Sequence, residues 1–176
     1  NLGVRDIKKI FEWNRICDLA GMDTMSAGAT LAFAMGLNEK GLMQTALKFG
    51  SSDNISKMLR DIAARRDIGN DLADGVRCVS EKYGGKDFAM HVKGLEAAGY
   101  EPRNAFGHGL GYATANRGAC HIGGGYLVQM EALGSATIDA RVTSSKAELA
   151  VIMQNFLDAV GCAITCVFTS YALYPA

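Results

Sequence analysis

The sequence lacks an excess of charge of either sign. Its 176 residues include 18 Lys or Arg and 18 Asp or Glu, so the formal net charge is zero when histidine is neutral. Proteins that bind nucleic acid through the phosphate backbone usually present a basic face or stripe. The balance of charge therefore argues against nucleic acid as a partner.

Long apolar runs are also missing. No uninterrupted apolar stretch approaches the roughly 18 residues that a membrane span requires. Residues 1–10 do not have the design of a secretory signal peptide. The sequence thus predicts no membrane partner. Because the first residue is Asn1 rather than Met, we expect the chain to be an excised piece of a longer protein.

Cysteine motifs that would form a redox or metal site on their own are absent. The five cysteines lie at positions 17, 78, 120, 162 and 166, and no two of them form a C-x-x-C pair. An odd number of cysteines without a secretory signal favours reduced thiols. We therefore expect a cytoplasmic location.

Helical periodicity is what the sequence does contain, and apolar residues make up 49% of it. Strand signals are thin, and only YLVQM (126–130) has an extended character. The spacing of apolar residues predicts helices over about 4–20, 24–37, 53–63, 72–83 and 145–160. Asp53 is the predicted N-cap of the third, and Ser145-Lys146-Ala147-Glu148 opens the last as a capping box.

The predicted fold class is mainly α, arranged as two helical lobes. The first lobe would span residues 1–99 and the second residues 100–176, although the two are also able to pack as one unit. Pro102 marks the joint, because proline disfavours helix in the residue before it.

The segment Asp18-Leu19-Ala20-Gly21-Met22-Asp23 places two carboxylates around a glycine, between two predicted helices. Gly21 permits a left-handed helix end and a close approach of the backbone to a ligand. Asp23 suits the N-cap of the next helix. The carboxylates are also able to accept hydrogen bonds from the N–H groups of a flat heterocycle. From composition alone, a plain helix-cap turn is the simpler interpretation.

A second candidate site is NRGACHIGGGY (116–126), which holds one of the three histidines. On a helix, the adjacent Cys120 and His121 would point about 100° apart, so they would not form a nucleophile–base pair. A lone histidine is more often structural than catalytic. The three glycines at 123–125 exceed the one that a helix end needs, however, and a backbone laid against a cofactor would explain the others.

The other cysteines and histidines form no complete metal site in the sequence. Cys162 and Cys166 would share one face of a helix, but two thiolates fall short of the four ligands of a zinc or iron–sulfur site. They are either small core residues or part of a ligand set completed outside this chain. His91 and His108 have no acidic or cysteine partner at metal spacing, so both are predicted to be structural.

Four blocks of the sequence resemble the aldehyde ferredoxin oxidoreductase family, in the same order and with similar spacing. They are residues 17–42, 47–77, 88–96 and 101–121, the last of which ends in NRGACH. Members of this family are tungsten or molybdenum enzymes with two pterins, and they oxidise aldehydes to carboxylic acids. The resemblance implies that the chain covers the helical C-terminal domains.

The resemblance also implies cofactor-binding residues. The family's first pterin-binding pattern, D-x-x-G-x-C/D, is matched by Asp18, Gly21, Met22 and Asp23. A histidine near the metal follows the family's RG segment, and His121 stands in that place. It is the implied catalytic residue, with a role in proton transfer.

The family's second pterin pattern ends in a cysteine that is the fourth ligand of a 4Fe–4S cluster. The segment 166–173 resembles the chain that starts at this ligand, so Cys166 is the implied metal ligand. Gly161 stands where the family has an aspartate. Either Asp158, one turn earlier, makes the implied contact with the second pterin, or that contact is altered in this chain. Arg15 replaces the histidine of the E-x-x-H motif that starts at Glu12, which argues against a subunit-bridging iron.

Much of a complete family member is missing from the sequence. The N-terminal domain under the pterins and the other three cluster cysteines lie upstream in the family. We therefore expect the fragment to bind no metal, pterin or cluster by itself and to be inactive. In the complete enzyme the implied partners are the aldehyde, ferredoxin and that N-terminal domain.

Two alternatives stay open. The first is a non-catalytic helical packing or interaction module, in which Asp18, Asp23 and His121 lie far apart and make ordinary caps. The enzyme interpretation instead predicts that these three residues converge on one concave face. The second alternative is a reductive relative within the same family that acts on aromatic acyl thioesters.

Overall fold

The computed structural model describes residues 1–133 and 138–169. Over these residues the protein is mainly α-helical, and the predicted fold class is confirmed. Its internal contacts divide it into two compact units, Asn1–Ala98 and a second that begins at Gly99. None of the described helices is both long and apolar enough to cross a membrane.

The first unit consists of helices followed by a short antiparallel hairpin, in which His91 pairs with Glu96 and Val92 with Leu95. Its elements are α1 (Ile7–Ala20), α2 (Thr24–Glu39), α3 (Ile55–Ala63), α4 (Ile68–Leu72), α5 (Gly75–Tyr83), a 3₁₀ turn (Lys86–Phe88), β1 (His91–Val92) and β2 (Leu95–Glu96).

The first two helices form where the sequence predicts them, with shifted ends. The first begins at Ile7 because the carboxylate of Asp6 accepts hydrogen bonds from the backbone N–H groups of Lys8 and Lys9, at 2.9 and 3.3 Å. These bonds satisfy N–H groups that have no partner within the helix. The second helix begins at the predicted Thr24 and continues two residues beyond the predicted end, to Glu39.

The other two predictions in this unit need correction at their caps and ends. The N-cap position of the third helix is Asn54 rather than the predicted Asp53, and its side chain makes no capping hydrogen bond. The predicted helix 72–83 is divided in two, because Gly75 has a left-handed φ of 80°. The helix that starts at Gly75 is capped from the hairpin, where Glu96 accepts a 2.8 Å hydrogen bond from the N–H of Val76.

The core of the first unit is built from the apolar faces of these helices. Its most deeply buried large side chains, each at most 2% exposed, are Leu31, Met35, Leu37, Leu47, Ile55, Leu59, Leu72, Val76 and Val79. Burial of a side chain of this kind contributes about 1.5–3 kcal/mol. Since these residues come from α2 to α5 and the loop before α3, the core holds the first unit together around α2.

The second unit contains a 3₁₀ turn (Pro102–Asn104), α6 (Phe106–Thr114), a π-helical segment (Gln129–Leu133) and α7 (Lys146–Cys162). The extended character predicted for 126–130 is wrong, because the chain enters a helical turn at Leu127, which is fully buried. A short apolar run without alternation does not distinguish a buried helical turn from a strand. Leu127 packs with Ala150 and Met153 of α7.

The predicted capping box at the start of α7 is wrong, although the helix itself forms there. Ser145 has a left-handed φ of 60° and its side chain makes no capping hydrogen bond. Lys146 instead turns inward, and its ammonium group lies 2.5 Å from the carboxylate of Glu131. The same carboxylate accepts the backbone N–H groups of Gly107 and His108, at 2.8 and 3.0 Å. This buried ion pair therefore ties the N-termini of α6 and α7 together.

Candidate functional site

The turn between α1 and α2 carries the first predicted site. Gly21 has a left-handed φ of 67°, and its N–H donates to the carbonyl of Asp18 at 3.2 Å. The N–H of Met22 donates to the carbonyl of Cys17 at 2.9 Å. This pair of bonds is the Schellman arrangement, in which a glycine ends the helix and satisfies its last carbonyls. The sequence prediction of a glycine-terminated helix at this point is confirmed.

Asp23 begins α2 as predicted. One of its carboxylate oxygens accepts the backbone N–H of Ser26 at 2.7 Å. The carboxylate of Asp18 accepts a 2.9 Å hydrogen bond from the side-chain amide of Asn14. Both aspartates are exposed, and an ionised carboxylate has about four lone-pair sites. Each therefore keeps capacity to accept further hydrogen bonds from a ligand.

A hollow of about 310 Å³ lies beside this turn. This volume is at the small end of the range for ligand pockets, roughly 300–1,000 Å³. Its lining is Ala20, Met22, Asp23, Ser26, Ala27, Thr30, Ile62, Ala63, Arg65, Leu72, Ala73 and Gly75. Asp23 contributes a carboxylate, and Ser26 and Thr30 contribute hydroxyls. Acceptors and hydroxyls beside apolar walls suit a flat heterocycle that carries N–H groups.

The cation at this hollow is already paired within the protein. Arg65 has a left-handed φ of 49°, and its guanidinium donates to Asp74 at 2.7 Å and to Asn70 at 3.3 Å. Both members of the Arg65–Asp74 pair are about half exposed. The lining near Asp23 is therefore suited to a neutral hydrogen-bond donor more than to an anion.

His121, the predicted catalytic residue, lies among aromatic rings of the second unit. It is partly buried, and its ring centroid is 5.6 Å from that of Tyr100 and 5.7 Å from that of Tyr126. The two phenol oxygens lie 3.1 Å apart. The pKa of Tyr100 is raised, mainly by this hydrogen bond with Tyr126 and further by burial. The phenol of Tyr100 is thus held in its neutral form next to the imidazole, with its oxygen in hydrogen-bond contact with that of Tyr126.

A second imidazole, that of His108, lies behind Tyr100. It is only 1% exposed, and its Nδ1 accepts the backbone N–H of Val128 at 3.3 Å. The neutral ring therefore carries its proton on Nε2, which has no hydrogen-bond partner among the described residues. Burial, with a smaller contribution from the charge of His121, lowers the pKa of His108 to about 4. The prediction that His108 is structural agrees with this environment.

The three glycines after His121 pack against the protein itself. A Cβ on Gly124 would lie 2.7 Å from the carbonyl oxygen of Cys120 and 2.8 Å from the backbone of Gly111. Gly125 has a left-handed φ of 95°. Two of the three positions thus need glycine for backbone packing and backbone conformation. The hypothesis that the extra glycines lie against a cofactor is not needed to explain Gly124 and Gly125.

The residues implied for the cluster and the second pterin lie at the end of α7. Asp158 is exposed on this helix, and Cys166 is exposed four residues beyond its last residue, Cys162. The prediction that the two cysteines share a helical face is wrong, because the helix stops at the first of them. Their alternative interpretation as core residues is also wrong, since both thiols are exposed. Residues 170–173 of the implied cluster segment lie outside the described part.

The predicted site residues fall into two groups. Asp18, Gly21, Met22 and Asp23 lie on one turn of the first unit, whereas His121, Asp158 and Cys166 belong to the second. Convergence of the two groups stays a prediction. Within residues 1–133 and 138–169, no three His, Cys, Asp or Glu side chains are grouped as they would be around a metal ion.

Sequence analysis did not identify the tyrosines around His121. Tyr100 and Tyr126 are separated by 26 residues; Tyr100 lies in no recognised pattern, and Tyr126 ends the segment 116–126 but was given no role there. The one available signal was the position of Tyr126 directly after the glycines, since such a turn brings the chain back toward His121. The hydroxyls of Ser26 and Thr30 were likewise missed, although they follow Asp23 at spacings that α2 places near its first turns.

Comparison with known proteins connects these features to a family. The sequence profile described as aldehyde ferredoxin oxidoreductase, domains 2 and 3, matches residues 1–176. The chain is similar to the tungsten-containing aldehyde ferredoxin oxidoreductase of Thermococcus kodakarensis, with 39% identity over 98% of the chain and 30% of the relative. It is 38% identical to the protein of the same name from Pyrococcus furiosus, with the same coverage.

The chain thus spans about 30% of the length of the curated relatives that it matches. The blocks from which the resemblance was inferred, including the Asp18–Asp23 turn and the segment that ends at His121, lie within the matched residues. Because the match takes in the whole sequence, the chain belongs to the aldehyde ferredoxin oxidoreductase family.

Proposed function

We propose that the chain is part of an oxidoreductase that converts aldehydes to carboxylic acids at a tungsten or molybdenum site with two pterins. Electrons would leave through a 4Fe–4S cluster to ferredoxin. The observation that carries this proposal is the turn from Asp18 to Asp23, whose two exposed carboxylates adjoin a hollow of about 310 Å³. This turn matches the family's pterin-binding pattern residue by residue.

The turn supplies acceptors for the pterin. Asp23 has one oxygen fixed by the N–H of Ser26, so its carboxylate has a defined orientation and a second oxygen that can accept from a ligand. Asp18 is steadied in the same way by Asn14. Gly21 leaves the surface open, because no atom lies within 4 Å of the position of a Cβ there. We assign Met22, which lines the hollow, to apolar contact with the face of the ring.

His121 would hold or release a proton at an imidazole nitrogen. Oxidation of an aldehyde to a carboxylic acid with oxygen from water releases two protons and two electrons. The reference pKa of a histidine side chain is about 6.5, so this residue type is able to gain or lose a proton near neutral pH. When bound, the metal and its pterins supply the two-electron redox chemistry. The protein's own part is to place His121 beside the substrate and to restrict its orientation through the rings of Tyr100 and Tyr126.

Cys166 would be the ligand that this chain gives to the 4Fe–4S cluster. Its thiol is exposed just beyond α7, so it is accessible to a ligand set completed by residues outside this chain. Asp158 is exposed on the same helix and would reach the second pterin. The partners of the complete enzyme would be the aldehyde, ferredoxin and the N-terminal domain, in the cytoplasm. The isolated chain would then have no aldehyde activity.

The test is cofactor retention in the complete enzyme. We expect Asp23→Asn, and Asp18→Asn to a similar extent, to reduce tungsten and pterin content measured by elemental analysis and pterin fluorescence. Asp6→Asn is a matched control, since Asp6 also caps a helix of the first unit but lies outside the pattern. Full metal and pterin content in both site variants would refute the role of the turn.

Cofactor content separates the packing alternative from the proposal. A non-catalytic packing module predicts that the Asp18→Asn and Asp23→Asn variants match Asp6→Asn in metal and pterin content, with little change in stability because Asn caps a helix about as well as Asp. A reductive relative would retain the same cofactor dependence, and it would be recognised by reduction of an aromatic acyl thioester in place of aldehyde oxidation.

A further inference from the structure

We propose that Tyr126 is a positioning residue for His121. Its ring contacts the imidazole, and its hydroxyl bonds that of Tyr100, which also contacts the imidazole. The inference rests on the proposed function of His121 in proton transfer. It assigns to Tyr126 no contact with substrate.

The backbone brings Tyr126 to this place at a cost. Its φ is 49°, a left-handed conformation that is unfavourable for a bulky side chain and that persists where the surroundings enforce it. Its N–H donates to the carbonyl of His121 at 2.9 Å, so the six-residue turn 121–126 closes on the histidine itself. The residue before it, Gly125, also has a left-handed φ. The turn therefore fixes the backbone of Tyr126 relative to that of His121.

The turn has little freedom to move. Gly124 and Gly111 pack backbone to backbone, and a Cβ on Gly111 would lie 2.4 Å from the carbonyl oxygen of Gly124. On the other side, a Cβ on Gly125 would lie 3.2 Å from that of Met153 on α7. The turn is thus held between α6 and α7, and this restricts the position of the Tyr126 side chain.

The side chains complete a ring of contacts around His121. The centroids of His121, Tyr100 and Tyr126 form a triangle with edges of 5.6, 5.7 and 5.9 Å. The hydroxyl oxygens of Tyr100 and Tyr126 lie 3.1 Å apart, and this hydrogen bond links the two tyrosines to each other. Removal of the Tyr126 hydroxyl would remove its hydrogen bond with Tyr100, and removal of the whole ring would also remove its contact with the imidazole.

Orientation of this kind affects rate because proton transfer depends steeply on geometry. A displacement of about 1 Å in a reacting group is able to lower the rate about 10²-fold. A positioning role therefore predicts that kcat falls while KM and metal content stay unchanged. A purely structural role predicts lower stability without a selective effect on His121.

The first test uses the 176-residue chain with isotope-labelled histidine, because its three histidines give only three ring signals to assign. In Tyr126→Leu we expect the ring order parameter of His121 to fall, with a smaller fall in Tyr126→Phe, while the signal of His91 in the first unit stays unchanged. Tyr83→Phe is the matched control, since its hydroxyl bonds Asp71 in the first unit. An unchanged order parameter of His121 in both folded variants would overturn the proposal. If Tyr126→Leu does not fold, the order parameter of His121 in Tyr126→Phe decides the test: a fall supports the proposal, and an unchanged value overturns it.

The second test uses the complete enzyme. We expect kcat to fall about threefold to tenfold in Tyr126→Phe and about 10²-fold in Tyr126→Leu, with KM and tungsten content unchanged. If His121→Asn leaves turnover unchanged, the proposed function of His121 is wrong. If His121→Asn lowers turnover but both Tyr126 variants match the parent in kcat and in ring order, only the positioning role is wrong.

Discussion

The ammonium group of Lys146 lies 2.5 Å from Oε1 of Glu131, and the two side chains are only 4% and 0% exposed. The carboxylate also accepts two backbone N–H groups at the start of α6. It thereby replaces the missing side-chain cap of that helix and places a negative charge at its positive end. The start of α6, the helix that carries His108, depends on this pair.

Lys146→Met should destabilise the second unit by about 3–5 kcal/mol, because it leaves a buried carboxylate without its counter-ion. The double variant Lys146→Met, Glu131→Gln should recover part of this loss, since the amide still accepts an N–H bond without a charge. Denaturant unfolding followed by circular dichroism measures both. Lys9→Met is the control, because the pair of Lys9 with Glu12 is exposed on the surface and should contribute little to stability. Equal losses in Lys146→Met and Lys9→Met would contradict the account.

Acid should weaken the second unit through His108. In the unfolded chain this imidazole takes up a proton near pH 6.5, whereas burial lowers the folded-state pKa to about 4, with His121 adding to the shift and Glu131 opposing it. Stability is therefore full above about pH 6.5 and falls as the pH drops to about 4. The loss is on the order of 3 kcal/mol.

The pH effect is measured by hydrogen exchange of peptides from α6, corrected for the intrinsic pH dependence of exchange. His108→Leu should flatten the loss between pH 6.5 and 4, at the cost of about 1 kcal/mol near neutral pH, because the N–H of Val128 loses its acceptor. His91→Gln, a change in the first unit, should leave the pH dependence of α6 as it was. A His108→Leu variant with the parent's pH dependence would show that another group is responsible.

Gly124→Ala should destabilise the second unit by about 1–3 kcal/mol through overpacking, because the new methyl group would lie within 2.8 Å of backbone atoms of Cys120 and Gly111. Gly123→Ala is the matched control one residue earlier. There the nearest heavy atom to a new Cβ is the sulfur of Cys120 at 3.5 Å, an ordinary contact. Thermal unfolding compares the two, and a similar melting temperature for both would rule out the proposed packing of the turn.

The sequence predicted the helices well where an apolar stripe faces a core, as in α3 and α7. It also predicted the turn at Gly21, because a glycine between a helix end and an N-cap aspartate has a local physical cause. It failed where the partner is remote. Glu131 caps a helix that starts 25 residues earlier, and no local pattern reveals such a cap.

The candidate site shows the same division. Its pattern residues, Asp18 to Asp23 and His121, were recognised from motifs. The supporting contacts of His121 were not, because the hydroxyls of Tyr100 and Tyr126 meet only after the glycine turn has folded back between α6 and α7. Packing between distant segments, rather than any short motif, determines which side chains surround the imidazole.

The most direct test of the central claim is the turnover of the complete enzyme with His121→Asn, measured together with its tungsten content. If His121 transfers a proton in aldehyde oxidation, turnover should fall about 10²–10⁴-fold while metal content stays normal. Unchanged turnover at normal tungsten content would contradict the account.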